Sequence, residues 1–214
     1  MKLLSVNVSL PKTVVINDQP VLTGIYKEPV GGTVALGKLG LEGDGQADLT
    51  VHGGEYQAIY SYPFEHYAHW ERVLERPPFE HGTFGENLTV TGMLETEVCI
   101  GDVFRIGTAT VQVTMPRIPC FKFGHKIGKP TILKEFLHSG RSGFYQRVVE
   151  EGTVSPGDTF ELVSKDPRRV TVRDALGMQK FGEGDKESLE KALSIEALGA
   201  YLRRDLVARL ERLS

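Results

Sequence analysis

The sequence predicts a mainly β domain, a barrel or two packed sheets, over residues 1–164 and a small three-helix appendage over 165–214. Short alternating or wholly apolar runs recur from Leu3 to Val163, each closed by Gly, Pro or Asp. After Ser164 the apolar period becomes helical, with Leu198, Leu202, Leu206, Leu210 and Leu213 as the clearest case. The charge balance turns at the same place. There are 14 basic against 19 acidic residues over 1–163, then 11 against 9 over 164–214.

Taken in order, Leu3, Leu4, Val6 and Val8 mark an opening strand, and residues 13–16 and Val21-Leu22 mark two more before Gly24. Gly31-Gly32 turns the chain into a strand at 33–36. Residues 58–62 read as a buried strand. Pro63 then opens a helix over 64–74, because its missing N–H is unneeded in a first helical turn; Arg76-Pro77-Pro78 ends it. Strands at 88–90, 98–100 and 103–106, with turns at Gly101-Asp102 and Gly107, form a meander into Thr108-Ala-Thr-Val-Gln-Val-Thr114. There Ala109, Val111 and Val113 share one face. A helix at 131–138 stops at Gly140, and strands at 143–149, 153–154 and 160–163 complete the β part. In the tail, one helix begins at 171–176 and a second covers 185–193. Ser194 is expected to cap a third carrying Ile195 and the leucines, with Arg203, Arg204, Arg209 and Arg212 as its solvated face.

Composition narrows the function classes. Of 214 residues, 40% are hydrophobic and 25% charged, as in ordinary globular proteins. A net charge of −3 gives no general reason to expect nucleic acid or an anionic membrane as partner. Two cysteines, Cys99 and Cys120, are too few for a disulfide framework or a CxxC-type zinc site. Cys99 lies in an apolar pattern and reads as core. Asn7 and Ser9 interrupt an opening too short for a signal peptide, and no apolar run reaches membrane-span length. A reducing, cytoplasmic setting is expected.

The chemistry gathers around Met115-Pro-Arg-Ile-Pro-Cys120. Two prolines hold this backbone extended as it leaves a strand. The chain thus presents Arg117 and Cys120 stiffly, with Lys122, His125 and Lys126 close behind. A thiol among cations favours its thiolate, the form that attacks electrophiles and binds soft metals. A buried small Cys beside a proline turn is the plainer alternative. Three further glycine-bearing loops, at 40–48, 51–54 and 82–87, stand between strands and can meet at one barrel mouth. Gly53 and Gly54 would let backbone N–H groups approach an anion. Glu42, Asp44 and Asp48 lack the full EF-hand pattern and read as loop stabilisers.

These loops, in this order, carry a resemblance. Gly40-Leu-Glu-Gly-Asp-Gly-Gln-Ala-Asp48, Val51-His-Gly-Gly54, Gly82-Thr-Phe-Gly-Glu-Asn-Leu88, Gly101-Asp102 and Pro116-Arg-Ile-Pro-Cys120 resemble the MOSC domain, named for the C-terminal domain of molybdenum cofactor sulfurases. So do Gly140-Arg-Ser-Gly-Phe-Tyr145 and Gly152-Thr-Val-Ser-Pro-Gly-Asp158. The tail is similar to the three-helix appendage of stand-alone YiiM-type MOSC proteins. The resemblance implies a barrel-like fold and a molybdenum–pterin cofactor, with Cys120 as both metal ligand and catalytic residue. It makes Arg117 and Lys122 candidates for the pterin phosphate. His52, Gly53 and Gly54 form a further wall, and Arg141 comes from the late loop. Asn87 has two readings, a contact to pterin edges or a loop tie. Many relatives carry a basic residue where Gln57 stands. The implied activity is reduction of small N-hydroxylated compounds such as hydroxylaminopurine-like base analogues. With no flavin or iron–sulfur motif, electrons would come from an external reductase. Pyridoxal phosphate is not expected. A cofactor or sulfur carrier acting through Cys120 is the alternative, and a Cys–His hydrolase using His125 or His52 a third.

Overall fold

A computed structural model describes residues 1–47, 53–76 and 78–213. The strands are β1 (Lys2–Val8), β2 (Lys12–Ile16), β3 (Gln19–Thr23), β4 (Glu28–Val30), β5 (Val34–Gly37), β6 (Gly40–Leu41), β7 (Ile59–Pro63), β8 (Leu88–Thr91), β9 (Val103–Ile106), β10 (Ala109–Pro116), β11 (Phe144–Glu150), β12 (Gly152–Val154) and β13 (Glu161–Ser164). The helices are α1 (Tyr67–Leu74), α2 (Phe121–Ile127), α3 (Ile132–Ser139), α4 (Val172–Lys180), α5 (Lys186–Leu193) and α6 (Ala200–Leu213).

Eight strands form one mixed sheet in the order β13-β9-β10-β11-β7-β8-β1-β4, in which only β7 and β8 run parallel. The sheet curls into a half-barrel. Its curl brings the segment before β13 back to β1: Leu3 N donates to Asp158 O at 2.8 Å and Gly157 N to Leu3 O at 2.8 Å. Asn17 and Asp18 turn the β2–β3 hairpin with φ of 50° and 60°, the left-handed pair that a tight two-residue turn demands. Pro63 closes β7 and leads through a 3-10 turn at Phe64–His66 into α1.

Three expectations need correction. Residues 98–100 do not form a strand; Cys99 makes a single bridge to Thr171 inside a turn. A helix unanticipated from the sequence, α2, follows Cys120, with Gly124 packed closely against Pro130. The last helix starts at Ala200 rather than after Ser194, which instead ends α5. Gly199 sets this start: its N donates to Thr114 O, and a Cβ there would meet the Met115 sulfur at 2.7 Å. Of the four tail arginines, Arg204 and Arg212 are exposed as expected, whereas Arg203 and Arg209 turn to backbone carbonyls. Arg203 donates to the carbonyls of Leu193 and Ile195, and Arg209 to those of Met178, Gly182, Glu183 and Gly184.

The core falls into two clusters. An aliphatic one runs from Leu3, Val111 and Val148 in the sheet to Leu189, Leu202 and Leu206 in the tail. An aromatic one, with Tyr60, Tyr62, Trp70, Phe84, Phe123 and Phe136, lies between β7, α1, α2 and α3. Among the described residues no helix is long and apolar enough to cross a membrane.

Candidate functional site

The pocket forms where the segment after β10 passes over β7 and β11. Cys120 has extended backbone (φ −114°, ψ 172°), and its carbonyl accepts the Phe123 N–H at 2.9 Å as α2 begins. Arg117, Cys120, Lys122, Gly53 and Asn87 all line this pocket, together with Lys27, Asp44, Gln57, Tyr60 and Tyr145. A Cβ at Gly24 would collide with the Gly45 carbonyl, and one at Gly85 would lie 2.8 Å from Ile25 Cγ1. The loops at the mouth therefore cross almost backbone to backbone.

Arg117 is only 5% exposed. Its guanidinium carbon sits 4.8 Å from the Tyr60 ring centroid, 4.7 Å from that of Phe123 and 5.6 Å from that of Phe136. Its Nη1 donates to Tyr60 Oη at 3.4 Å, and that hydroxyl donates to Ser142 O at 2.9 Å. No described carboxylate pairs with it. A buried charge ordinarily needs a counterion. Here aromatic faces supply part of the compensation, and the remainder is left for an anion in the pocket. Burial works against the Arg117 charge, but the Tyr60 and Tyr145 phenols and the Cys120 thiol outweigh it and keep the guanidinium ionised. Burial pushes the Tyr60 and Tyr145 phenols up, with Arg117 opposing, so both keep their protons at neutral pH.

Lys27 and Asp44 form a buried ion pair on the opposite wall, where burial lowers the Lys27 pKa and Asp44 opposes the shift. Asp44 also accepts from Ser9 N at 2.9 Å and Asn87 Nδ2 at 2.8 Å, while Asn87 Oδ1 accepts from Tyr60 N at 3.1 Å. Asn87 thus ties three segments together while facing the pocket. Among the described residues the lining holds three basic side chains (Lys27, Arg117 and Lys122) against one carboxylate, a cationic balance in a chain of net charge −3.

The other sequence candidates divide. Lys122 lines the pocket, and its Nζ donates to Leu22 O at 3.1 Å. Gly53 N donates to Gln57 Oε1 at 3.3 Å, so Gln57 shapes this turn. Gly54 (φ 76°) lies in an adjoining hollow with Gly40, Asp44 and Gln46. Arg141 does not line the pocket; its Nη1 turns back to Ser139 O at 3.4 Å. His52, Asp48, Val51 and Pro77 lie outside the described residues. His125 is exposed and is not part of the lining. Cys99 is buried, with its thiol pushed up to about 11 by burial, and is core. Tyr60 and Tyr145 escaped the sequence reading. They face one another across β7 and β11, a register that only the paired sheet reveals.

A thiol, a buried guanidinium and two lysines share one pocket of a curled, mainly β half-barrel, a set of groups whose chemistry suits an anion and a soft metal. Comparisons with known proteins define the class. The MOSC domain family matches residues 48–161. YflK of Bacillus subtilis (strain 168) is 42% identical over 210 residues, covering 98% of this chain and 95% of its own. The crystal structure of YiiM from Geobacillus stearothermophilus superposes with a TM-score of 0.83 at 36% identity, covering 98% of each chain. A protein of Gibberella moniliformis (strain M3125 / FGSC 7600) named Reductase is 35% identical over 150 residues, which is 68% of this chain and 26% of that longer one. The chain belongs to the MOSC domain family, with YiiM-type relatives, and that family is associated with molybdenum cofactor binding.

Proposed function

We propose that the protein is a molybdenum-cofactor-dependent reductase of N-hydroxylated compounds, hydroxylaminopurine-like base analogues among them, that receives electrons from an external reductase. The observation that carries this reading is Cys120 sharing a pocket with Arg117, a buried cation unmatched by any described carboxylate. A soft thiol and a planar cationic fork suit the metal and the phosphate of a molybdenum–pterin group, so the residues present fit it.

When bound, that group supplies the acceptance of the substrate oxygen and carries two electrons; an N–OH, two electrons and two protons become N–H and water. The chain supplies placement and charge. Cys120 Sγ would be the protein's ligand to the metal, and Arg117 and Lys122 would hold the phosphate. Gly53, at φ 99°, presents backbone with no side chain in the way, and Gly54 extends that wall. Asn87 and Asp44 fix the loops around the pocket. Tyr145 Oη, whose pKa burial raises, keeps its proton and can donate a hydrogen bond to a substrate oxygen in the pocket.

The test is the molybdenum and pterin content of protein made in a cofactor-producing host, wild type beside Cys120→Ser and Arg117→Met. Near-stoichiometric molybdenum in the wild type is expected, lost in Cys120→Ser and reduced at least tenfold in Arg117→Met under competing chelator. Turnover should require an added electron donor. Equal molybdenum in wild type and Cys120→Ser removes Cys120 as the essential ligand. No molybdenum in any variant, beside a loaded control protein, favours a sulfur carrier with a persulfide on Cys120.

A further inference from the structure

Cys120 is reached from two sides. Gln57, Ile118, Cys120 and Tyr145 line the pocket described above and also a second cleft, between the Cys120 segment and the C-terminal helices. These four residues are therefore a shared wall. The first hollow is cationic and bounded by glycine loops. The second has Gln179 and Lys180 of α4 and Tyr201, Arg204 and Asp205 of α6 as its far side.

The charges of that far side do not cancel. Asp205 accepts from Gln179 Nε2 at 2.8 Å and pairs with Arg204 at 3.3 Å and, more distantly, with Lys180 at 3.9 Å. Two cations thus share one carboxylate. The Arg204 guanidinium carbon lies over the Tyr201 ring, 5.2 Å from its centroid, so the ring holds this cation at the cleft.

We propose that this cleft is the substrate side of the site, and that α6 favours, among N-hydroxylated substrates, those that bear a negative charge. Arg204, held over the Tyr201 ring, is the specificity-determining residue. This rests on the reductase reading for its chemistry, though not for its binding. It also gives the helical tail a role beyond covering the half-barrel: it forms the wall that meets the substrate.

The test uses two probes that differ in one group, benzamidoxime and 4-carboxybenzamidoxime, titrated calorimetrically into cofactor-loaded protein and assayed with a chemical reductant. Arg204 is largely exposed, so Arg204→Glu should fold normally; its molybdenum content and melting temperature serve as controls. The wild type is expected to bind the carboxylate about three- to tenfold tighter, a preference that shrinks at high salt. Arg204→Glu should abolish or reverse the preference, with the effect falling on KM for the carboxylate probe rather than on kcat. Equal affinity for both probes in the wild type, or a preference that survives Arg204→Glu, overturns the proposal. Discrimination seen by calorimetry without N–O reduction keeps the cleft assignment and sinks the reductase reading instead.

Discussion

Beneath the pocket the chain packs rings, and beneath the C-terminal helices it packs aliphatic side chains. The first cluster stacks Tyr62 on Phe84 at 4.6 Å and Trp70 on Phe136 at 5.4 Å, with Arg117 lying over Phe123 and Phe136. The second joins sheet residues such as Val111 and Val113 to Ala175, Leu202 and Leu206. An aliphatic core offers a cation nothing. An aromatic one presents negative ring faces, so a guanidinium can stay ionised among side chains that exclude water. The aromatic core thus shelters the buried Arg117 guanidinium beneath the pocket. The aliphatic core is left to fasten the helical tail.

Breaking the aromatic cluster should have the largest effect. Phe136→Ala removes a wholly buried ring that touches Tyr62, Trp70 and Phe123 and lies under Arg117. We expect a loss of about 3–5 kcal/mol in denaturant unfolding, together with weakened cofactor retention. Leu206→Ala should cost about 2–4 kcal/mol and leave one unfolding transition, because its core is continuous with the sheet. A biphasic melt with the β part unchanged would separate the tail as an independent unit and blunt the comparison.

The smallest effect is a pH dependence at the border of the site. Lys126 Nζ donates to Ile25 O at 2.9 Å and Gly82 O at 2.6 Å, and burial pushes its pKa down to about 8 from 10.5. Because folding lowers this pKa, the unfolded chain binds more protons between the two values, and stability rises with pH across that window. Relative to Lys126→Met, the wild type should gain on the order of 1–2 kcal/mol between pH 8 and pH 10. A flat difference across that range would mean that Lys126 is far better solvated than its place between two carbonyls implies.

Much of this was legible in the sequence where the signal is local. The alternation of Ala109, Val111 and Val113 gave β10, and the proline-flanked segment gave Arg117 and Cys120 together. Signals that depend on distant partners were not legible. Tyr60 and Tyr145 come together only through the β7–β11 register, and Lys27 acquires its role by meeting Asp44 across a loop crossing. Ile195 and Leu198 have helical spacing, yet Gly199 packs against Met115 and delays the helix to Ala200. Arg209 looked like a surface charge because nothing in a sequence shows four backbone carbonyls converging on one guanidinium.

The most direct measurement of the central claim is X-ray absorption at the molybdenum edge of loaded protein, wild type against Cys120→Ser. If Cys120 is the protein's ligand, the wild type shows one sulfur neighbour more than the pterin dithiolene provides, and the variant lacks it. The same sulfur count in both proteins would contradict the assignment, whatever the activity of either.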